Sequence, residues 1–380
     1  MSRSQQRKTG TALALAALMI ASTLVATSLL GAGESEAAGG TTRTYYVAAD
    51  IVHWDYAPDG RNGITGQPFG DEENVFVEHG DHRIGRAYDK ALFREYTDGS
   101  FNTLRPRSPR WQHLGMLGPM IRAEVGDAIR FVFRNNTDFP LSVHPHGVLY
   151  DKSSEGAGYD DGTSGAAKAD DMVQPGTTYT YVWKVPERAG PGSMDGSSVM
   201  WMYHSHVNEP SDTNAGLIGP IVVTKKGMAR PDGSPMDVDR EFVALYSVID
   251  ENDSLLLDRN IQRYTGRPEE VDPEDEGFIE SNLMHSINGY VYGNLSGLRM
   301  ERSEHVRWYL MGMGTEVDLH TPHWHGNTVQ AMGMRTDVVN LLPMSMVVAD
   351  MVPDTPGTWL FHCHVNDHIK AGMLAKYRVA

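Results

Sequence analysis

A histidine motif occurs twice in this chain, once in each half. In the first half it comprises His144-Pro-His146-Gly147, Trp201-Met-Tyr-His204-Ser-His206-Val207 and Ala215-Gly-Leu217. In the second half it comprises His323-Trp-His325-Gly326, Trp359-Leu-Phe-His362-Cys-His364-Val365 and Ala371-Gly-Met373. The order of the segments and the spacing within each segment match. A repeat of this kind indicates duplication of one domain of about 150 residues.

Each His-x-His pair is predicted to direct two imidazoles to one face of a strand, because strand side chains alternate between the two faces. The pairs supply eight imidazoles, from His144, His146, His204, His206, His323, His325, His362 and His364. Imidazole binds copper, zinc, iron and nickel. One ion takes only three or four of these ligands, so the set predicts two or three metal ions that share one site.

The single cysteine of the chain lies between two of these histidines. Strand alternation turns the Cys363 side chain away from His362 and His364, towards a second metal site. The other residues of this second site are predicted to be His320, His368 and Met373. Two imidazoles, a thiolate and a thioether are typical of a blue-copper electron-transfer centre. The alternative is a free thiol or a disulfide to another chain.

The first half lacks this second ligand set. Ser205 stands where the second half has Cys363, and Leu217 stands where it has Met373. No histidine follows Ser205 at the place that matches His368. We therefore expect the first half to contribute to the shared site without a blue-copper site of its own.

Short runs of β-branched and aromatic residues recur between Gly, Pro, Asn and Asp. The clearest are Thr44–Val47, Ala128–Phe133, Thr178–Val185, Leu217–Thr224, Glu241–Ile249 and His305–Leu310. This pattern predicts an all-β chain of sandwiches or barrels. The segment Lys225–Arg240 is rich in Gly, Pro and charge and is predicted to be a linker. The two domains would then span residues 42–225 and 240–380.

Charge and the N-terminus limit the class of protein further. The 33 Lys and Arg residues against 49 Asp and Glu residues give a formal net charge of −16, which disfavours binding to nucleic acid or to an anionic membrane. Residues 1–37 have the basic start, the apolar run and the small residues at Ala37 of a secretory signal peptide. We expect a secreted or extracytoplasmic protein with no membrane contact after cleavage. An uncleaved segment would instead anchor the chain.

Longer stretches around these motifs resemble the multicopper oxidase family, in particular its ceruloplasmin and hephaestin members, in a two-domain bacterial form. The stretches are Thr44–Pro58, Gly118–Asn135, Pro140–Tyr150, Tyr203–Pro220, Glu280–Gly326 and His362–Met373. The resemblance implies an all-β fold of two cupredoxin-like Greek-key β-sandwich domains. It also implies a homotrimer in which the shared copper site forms between neighbouring subunits.

The resemblance implies four copper ions per functional unit. The type 1 ion would be held by His320, Cys363, His368 and Met373. The type 2 ion would be held by His144 and His323. The type 3 pair would be held by His146, His204, His206, His325, His362 and His364. Reduction of O₂ to water takes four electrons, so the resemblance implies an oxidase that takes electrons one at a time from a donor.

The resemblance also implies residues that bind the electron donor and residues that relay protons. Glu280, His285, Glu316 and Asp367 resemble an iron-binding site beside the type 1 copper, and the acidic net charge attracts cations. Ferrous ion, or cuprous ion, is therefore the expected donor. Tyr150 and Glu155 resemble cluster-side redox and proton-relay residues of small laccases. The alternative is that these are ordinary surface or packing residues, with Asp367 orienting His368.

Two other activities stay open. A laccase-like oxidase of phenols or amines would need a shallow apolar donor pocket. A copper nitrite reductase is also built from cupredoxin domains and is trimeric. That enzyme carries its blue-copper cysteine in the first domain, whereas this chain has Ser205 there.

Overall fold

The computed structural model describes residues 40–315 and 317–380. The strands of the first half are β1 (Thr42–Asp55), β2 (Ala87–Tyr96), β3 (Ile121–Glu124), β4 (Ala128–Asn135), β5 (His144–Pro145), β6 (Thr178–Lys184), β7 (Ser198–His204) and β8 (Ile218–Thr224). Those of the second half are β9 (Arg240–Asp250), β10 (Leu283–Ile287), β11 (Arg299–Met300), β12 (Val306–Gly312), β13 (Pro322–Trp324), β14 (Val329–Ala331), β15 (Met334–Thr336), β16 (Met346–Met351), β17 (Gly357–Cys363) and β18 (Leu374–Val379).

Short helices lie in the connections between these strands. They are α1 (Asp71–Val77), α2 (Glu209–Ala215), α3 (Leu257–Tyr264), α4 (Glu276–Ser281) and α5 (Asn366–Lys370). None of the helices in the described part of the chain is long and apolar enough to cross a membrane. The predicted signal peptide, residues 1–37, lies outside the described residues.

The strands form two sheets in each half. In the first half the orders are β2-β1-β4-β6 and β3-β8-β7-β5. In the second half they are β10-β9-β12-β16-β14-β15 and β11-β18-β17-β13. The pairs β1–β4 and β9–β12 are parallel, which reflects the crossed connections of a Greek-key sandwich. The predicted all-β, cupredoxin-like fold is confirmed, while the domain limits 42–225 and 240–380 stay a prediction.

Side-chain alternation explains how each sandwich closes. On β6, Tyr181 and Trp183 are fully buried between the two sheets of the first half, whereas Val182 between them is 46% exposed. On β18, Ala375 and Tyr377 point into the equivalent core of the second half. Inward residues two apart on a strand build each core, as the period of a β-strand requires.

Strands β8, β9 and β12 are buried on both faces, and they join the halves. On β8, Ile221 lies in the first core while Val222 lies in a separate cluster between the halves. On β9, Phe242 lies in the second core while Val243 and Leu245 meet that shared cluster. Each fully buried side chain of this size contributes about 1.5–3 kcal/mol. The continuous apolar runs of these strands therefore hold the halves together.

Two buried ion pairs also link the halves. Lys90 Nζ of β2 lies 2.5 Å from Glu251 Oε1, and both side chains are fully buried. Arg122 of β3 makes two hydrogen bonds, of 3.1 and 2.8 Å, to the carboxylate of Glu241 on β9. Removal of one partner would leave an unpaired buried charge, so each pair disfavours separation of the halves.

Candidate metal centres

Four histidines gather at one end of the first sandwich. His144 on β5 and His204 on β7 are direct cross-strand partners. His146 and His206 follow just beyond the ends of these strands. The adjacent rings have centroids 5.2 to 5.7 Å apart.

The second sandwich repeats this arrangement. His323 on β13 and His362 on β17 are cross-strand partners, and His325 and His364 lie just past the strand ends. The adjacent centroids are 4.8 to 5.3 Å apart. His325 and His364 are exposed to solvent. Within the described residues, no ring of the first cluster packs against a ring of the second.

The glycine and tryptophan of the repeated motif shape both clusters. Gly147 and Gly326 follow the first pair of each half and have φ of +76° and +74°. A Cβ at Gly147 would lie 2.2 Å from the Trp201 ring, and one at Gly326 would lie 2.6 Å from the Trp359 ring. Only glycine fits both the backbone conformation and the close approach. The tryptophan thus packs under the turn that directs the paired imidazoles.

Backbone carbonyls fix the orientation of three cluster rings. His204 Nδ1 donates to the carbonyl of Ser205 (2.9 Å), and His362 Nδ1 donates to that of Cys363 (2.6 Å). His144 Nδ1 donates to the carbonyl of Glu155 (2.7 Å). A ring that carries its proton on Nδ1 presents the lone pair of Nε2 to a metal ion.

The free nitrogens converge in the same way in both clusters. His146 Nε2 lies 3.1 Å from His204 Nε2, and His325 Nε2 lies 3.1 Å from His362 Nε2. Burial lowers the pKa of His204 to about 3 and that of His362 to about 4. The rings are therefore neutral near pH 7. Neutral imidazoles with converging lone pairs are suited to hold copper.

A second ligand set surrounds the buried thiol. The Nδ1 atoms of His320 and His368 lie 3.2 Å apart, and Cys363 Sγ lies 3.5 Å from His368 Nδ1. The three ligand atoms all lie within 4.8 Å of one another. Thr321 N donates to Cys363 Sγ at 3.4 Å. Two imidazole nitrogens and a sulfur in this arrangement fit a blue-copper ion.

Surrounding backbone holds this set in place. His320 Nε2 donates to the carbonyl of Met313 (3.0 Å), which leaves Nδ1 free, and burial lowers the pKa of His320 to about 4. Met373 is fully buried, its carbonyl accepts from Cys363 N (3.1 Å), and its N–H donates to the carbonyl of His368 (2.9 Å). Main-chain hydrogen bonds thus join Met373 to both Cys363 and His368.

The first half fills the equivalent position with a polar network. Ser205 Oγ donates to Asp212 Oδ2 at 2.6 Å and accepts from Ser142 N at 3.1 Å. Asp212 also accepts from the backbone N–H groups of Val207 and Asn208. The serine is therefore engaged in hydrogen bonds that position the turn after His204.

The two expected relay residues lie beside the first cluster. The Tyr150 ring centroid is 5.9 Å from that of His144. Glu155 meets His144 through its backbone carbonyl, whereas its carboxylate pairs with Lys152 and accepts from Tyr159 (3.0 Å). The Glu155 carboxylate is thus engaged in an ion pair with Lys152 and in a hydrogen bond from Tyr159.

The expected iron residues are only partly together. The His285 ring lies 5.3 Å from that of His368, and His285 Nδ1 donates to the carbonyl of Leu283, which leaves Nε2 free. Burial lowers the pKa of His285 to about 4, and the charge of Asp367 opposes that shift. Glu280 is exposed on α4 and makes no side-chain hydrogen bond or ion pair with another described residue. Glu316 lies outside the described residues.

Two acidic residues near the sites were not predicted. Asp318 is buried, and its charge raises the pKa values of His285, His320 and His368 against the effect of burial. Asp337 Oδ2 lies 3.6 Å from His323 Nε2. Asp318 stands two residues before His320, a spacing that could have drawn attention to it. Asp337 approaches His323 because separate segments pair at His323 and Val338. No sequence motif around Asp337 indicates this approach.

Two family models match the chain, and both describe multicopper oxidases. One matches residues 114–227, which include the first histidine cluster. The other matches residues 268–380. This range includes the second cluster and the thiol site, which comprises His320, Cys363, His368 and Met373.

Curated relatives match most of this chain but are much longer. Ferroxidase HEPHL1 of Mus musculus is 47% identical over 344 residues, which cover 90% of this chain and 29% of the relative. Ceruloplasmin of Rattus norvegicus is 47% identical over 341 residues, which cover 89% of this chain and 32% of the relative. The chain thus spans about a third of the length of these relatives.

Solved structures share the fold at low sequence identity. The multicopper oxidase mgLAC has a TM-score of 0.57 at 19% identity and covers 89% of this chain and 86% of its own. A copper nitrite reductase from Nitrosomonas europaea has a TM-score of 0.56 at 16% identity and covers 90% and 94%. The fold alone does not separate these two classes. The two matching family models and the curated relatives separate the two classes. They show that the chain belongs to the multicopper oxidase family.

Proposed function

We propose that this protein couples four one-electron oxidations of a donor to the reduction of O₂ to water. The observation that carries this proposal is the position of β17. Its residue Cys363 belongs to the thiol site, and its neighbour His362 belongs to the second histidine cluster. One short stretch of backbone therefore connects a site for electron uptake with a site of several imidazoles.

The ligand assignment follows from the donor sets. The thiol site of His320, Cys363, His368 and Met373 would hold one type 1 copper. The two clusters would hold one type 2 and two type 3 coppers, with His144 and His323 on the type 2 ion. Bound copper supplies one-electron redox chemistry, and four ions match the four electrons that O₂ requires. The hydrogen bond from His362 Nδ1 to the Cys363 carbonyl adds a second connection to the covalent one.

A homotrimer is proposed for the assembly. Each cluster offers four imidazoles, and in the described chain the two clusters do not contact each other. The exposure of His325 and His364 leaves the second cluster open to a partner. A head-to-tail contact that closes into a ring would bring the first cluster of one subunit to the second cluster of the next.

Ferrous ion, or cuprous ion, is proposed as the donor, and two observations support a cation. The relatives include a protein named as a ferroxidase. His285 lies beside His368, and Asp318 and Asp367 place negative charge on both rings. A ferrous ion bound there as substrate would meet carboxylates, which favour the ferric product, and an imidazole in contact with the type 1 ligand His368.

Removal of acidic residues at the proposed iron site should slow oxidation of ferrous ion much more than oxidation of a phenol. The double variant Glu280→Ala, Asp367→Ala should lose about 10- to 100-fold in kcat/KM for ferrous ion, because loss of residues around a metal ion commonly costs that much. Oxidation of a phenol should change by less than about twofold. Steady-state O₂ uptake with each donor measures both values on the same copper-loaded protein.

Glu276→Ala is the matched control, since Glu276 is an exposed acid on the same helix, α4. It should leave both rates unchanged. Equal losses with ferrous ion and phenol in the double variant would contradict an iron site and would indicate damage to the His368 ligand.

A laccase-like activity on phenols or amines is the second candidate, and one feature favours it. Val317, Leu319 and Leu342 are 75%, 48% and 60% exposed around His320. Exposed apolar side chains beside an electron-uptake site would suit an aromatic donor. The same pair of O₂-uptake measurements separates the candidates, because only the aromatic donor would then turn over efficiently.

Nitrite reduction is less well supported. The nitrite reductase likeness is one of fold, and Ser205 occupies the position where such an enzyme is expected to carry its copper thiolate. We also propose an extracytoplasmic location, on the basis of the signal-like sequence of residues 1–37.

A further inference from the structure

A buried tyrosine beside the thiol site lacks a hydrogen-bond partner. Tyr246 on β9 is fully buried, and its hydroxyl is unpaired among the described residues. The buried hydroxyl of Tyr292 is unpaired as well. In contrast, Tyr181 donates to the carbonyl of Asp170 (2.8 Å) and Tyr203 to that of Pro119 (2.8 Å). A buried hydroxyl without a partner lowers stability, so its presence calls for an explanation.

The position of Tyr246 ties it to the ligands of the thiol site. Its ring packs edge-on against Phe361 with centroids 5.6 Å apart and lies 6.1 Å from the ring of His320. Its carbonyl accepts from Met313 N (3.0 Å), and the Met313 carbonyl accepts from His320 Nε2 (3.0 Å). Phe361 precedes His362 and Cys363 on β17. Tyr246 therefore packs against the ligands from within the buried core of the second half, which also contains Cys363 and Met373.

The Tyr246 hydroxyl stays protonated near neutral pH. Burial, with the charge of Cys363 as the other contribution, raises the pKa of Tyr246 well above its usual value. Among the described residues no carboxylate or cation contributes to this shift. Tyr246 and Cys363 belong to the same buried core cluster of the second half, so the sulfur is an anionic group whose field reaches the O–H bond.

The effect on bound copper follows from electrostatics. In a low-dielectric core, the positive end of the O–H dipole stabilises negative charge on the sulfur. Electron density that stays on the sulfur is donated less to the metal, so the oxidised ion is stabilised less than the reduced one. The reduction potential of a blue-copper site is known to depend on hydrogen bonding around its sulfur.

We propose that the Tyr246 hydroxyl is a positioning residue of the thiol site that raises the reduction potential of copper bound at Cys363. This role rests on the proposed type 1 assignment and deepens it. A higher potential makes electron uptake from the donor more favourable. The hydroxyl thus lowers the stability of the fold and favours electron uptake.

The test is Tyr246→Phe, which removes the hydroxyl and keeps the ring against Phe361. Spectroelectrochemical titration of the blue absorption should give a lower midpoint potential than in the wild type. We expect about a three- to tenfold change in the equilibrium constant with the redox mediator, of which tenfold is 59 mV for one electron. An unchanged or raised potential would overturn the proposal.

A second measurement uses the copper-free protein. Tyr246→Phe should unfold at a higher temperature than the wild type, because it removes an unpaired buried hydroxyl. A lower unfolding temperature, or failure to fold, would mean that the hydroxyl has a partner and would also overturn the proposal. Tyr181→Phe is the control: it should lower the unfolding temperature and leave the potential unchanged. A wild-type protein without blue absorption would refute the type 1 assignment itself, which separates that failure from this one.

Discussion

Replacement of Cys363 by serine is expected to abolish the intense blue absorption and the turnover with every donor. A serine hydroxyl stays protonated and is a poor copper ligand, so the set around His320 and His368 loses its thiolate. Loss of groups around a metal ligand already costs about 10- to 100-fold, so loss of the ligand itself should exceed about 100-fold. Absorption spectra, copper analysis and O₂ uptake measure these effects together.

The copper-free Cys363→Ser protein should remain folded. Thr321 N, which donates to Sγ at 3.4 Å, is available to the serine hydroxyl, and the cost of the buried change should be about 1–3 kcal/mol. The copper clusters of the eight other histidine ligands should still load. Copper analysis would therefore show a defect confined to one of the four proposed copper ions.

Ser205→Ala is the matched control in the first half, where Ser205 holds the position equivalent to Cys363. It removes the hydroxyl that donates to Asp212 and should leave the blue absorption intact. A blue band that survives Cys363→Ser, or one that Ser205→Ala removes, would refute the assignment of the thiol site.

Two inactive variants are expected to restore activity to each other when they assemble together. His146→Ala disables the first cluster, and His325→Ala disables the second. Each variant alone should be inactive, because each ligand set would lack an imidazole that lies 3.1 Å from its neighbour in the intact chain. Co-expressed chains with two different tags would form mixed assemblies of the proposed trimer.

The expected recovery follows from the geometry of a ring. A site formed between subunits is intact when its first cluster comes from the His325→Ala chain and its second from the His146→Ala chain. Random assembly of equal amounts gives about a quarter of such sites in a head-to-tail ring. Purification by both tags removes the rings made of one variant, and every mixed ring of three has one such site among its three. O₂ uptake by the doubly purified mixed assembly should therefore reach about a third of the wild-type rate per site.

Two results would contradict a site shared between subunits. No recovery in a mixed assembly of confirmed composition would indicate that each chain uses its own two clusters. Full activity and copper content in a wild-type monomer would lead to the same conclusion. In either case the ligand assignments would stand, and the site shared between subunits would not.

Much of the fold was predictable because local pattern decided it. Strands such as β4, β6 and β8 follow runs of β-branched and aromatic residues close to their predicted bounds. The packing of β8 on two different cores was not predictable, because an all-apolar run does not say which partner covers each face. That partner depends on the second half of the chain, since Tyr309, which shares a cluster with Val222, lies 87 residues later in the sequence.

The metal centres were likewise predictable from sequence only in part. Sequence spacing suggested paired imidazoles, but the second histidine of each pair lies beyond its strand, as His146 and His364 show. The rings meet through cross-strand register and through the glycine turns on Trp201 and Trp359, which spacing alone does not determine. The approach of Asp337 to His323 also depends on the pairing of separate segments, whereas the ion pair of the Glu155 carboxylate with Lys152 is local.

The most direct test of the account is the ratio of ferrous ion oxidised to O₂ consumed by the copper-loaded protein. Ferric product and dissolved O₂ are followed in the same vessel, with a peroxide assay at the end. A copper-dependent four-electron oxidase should consume four ferrous ions per O₂ without accumulating peroxide, and both reactions should be lost when copper is removed. Two ferrous ions per O₂ with matching peroxide, or an unchanged rate without copper, would contradict it.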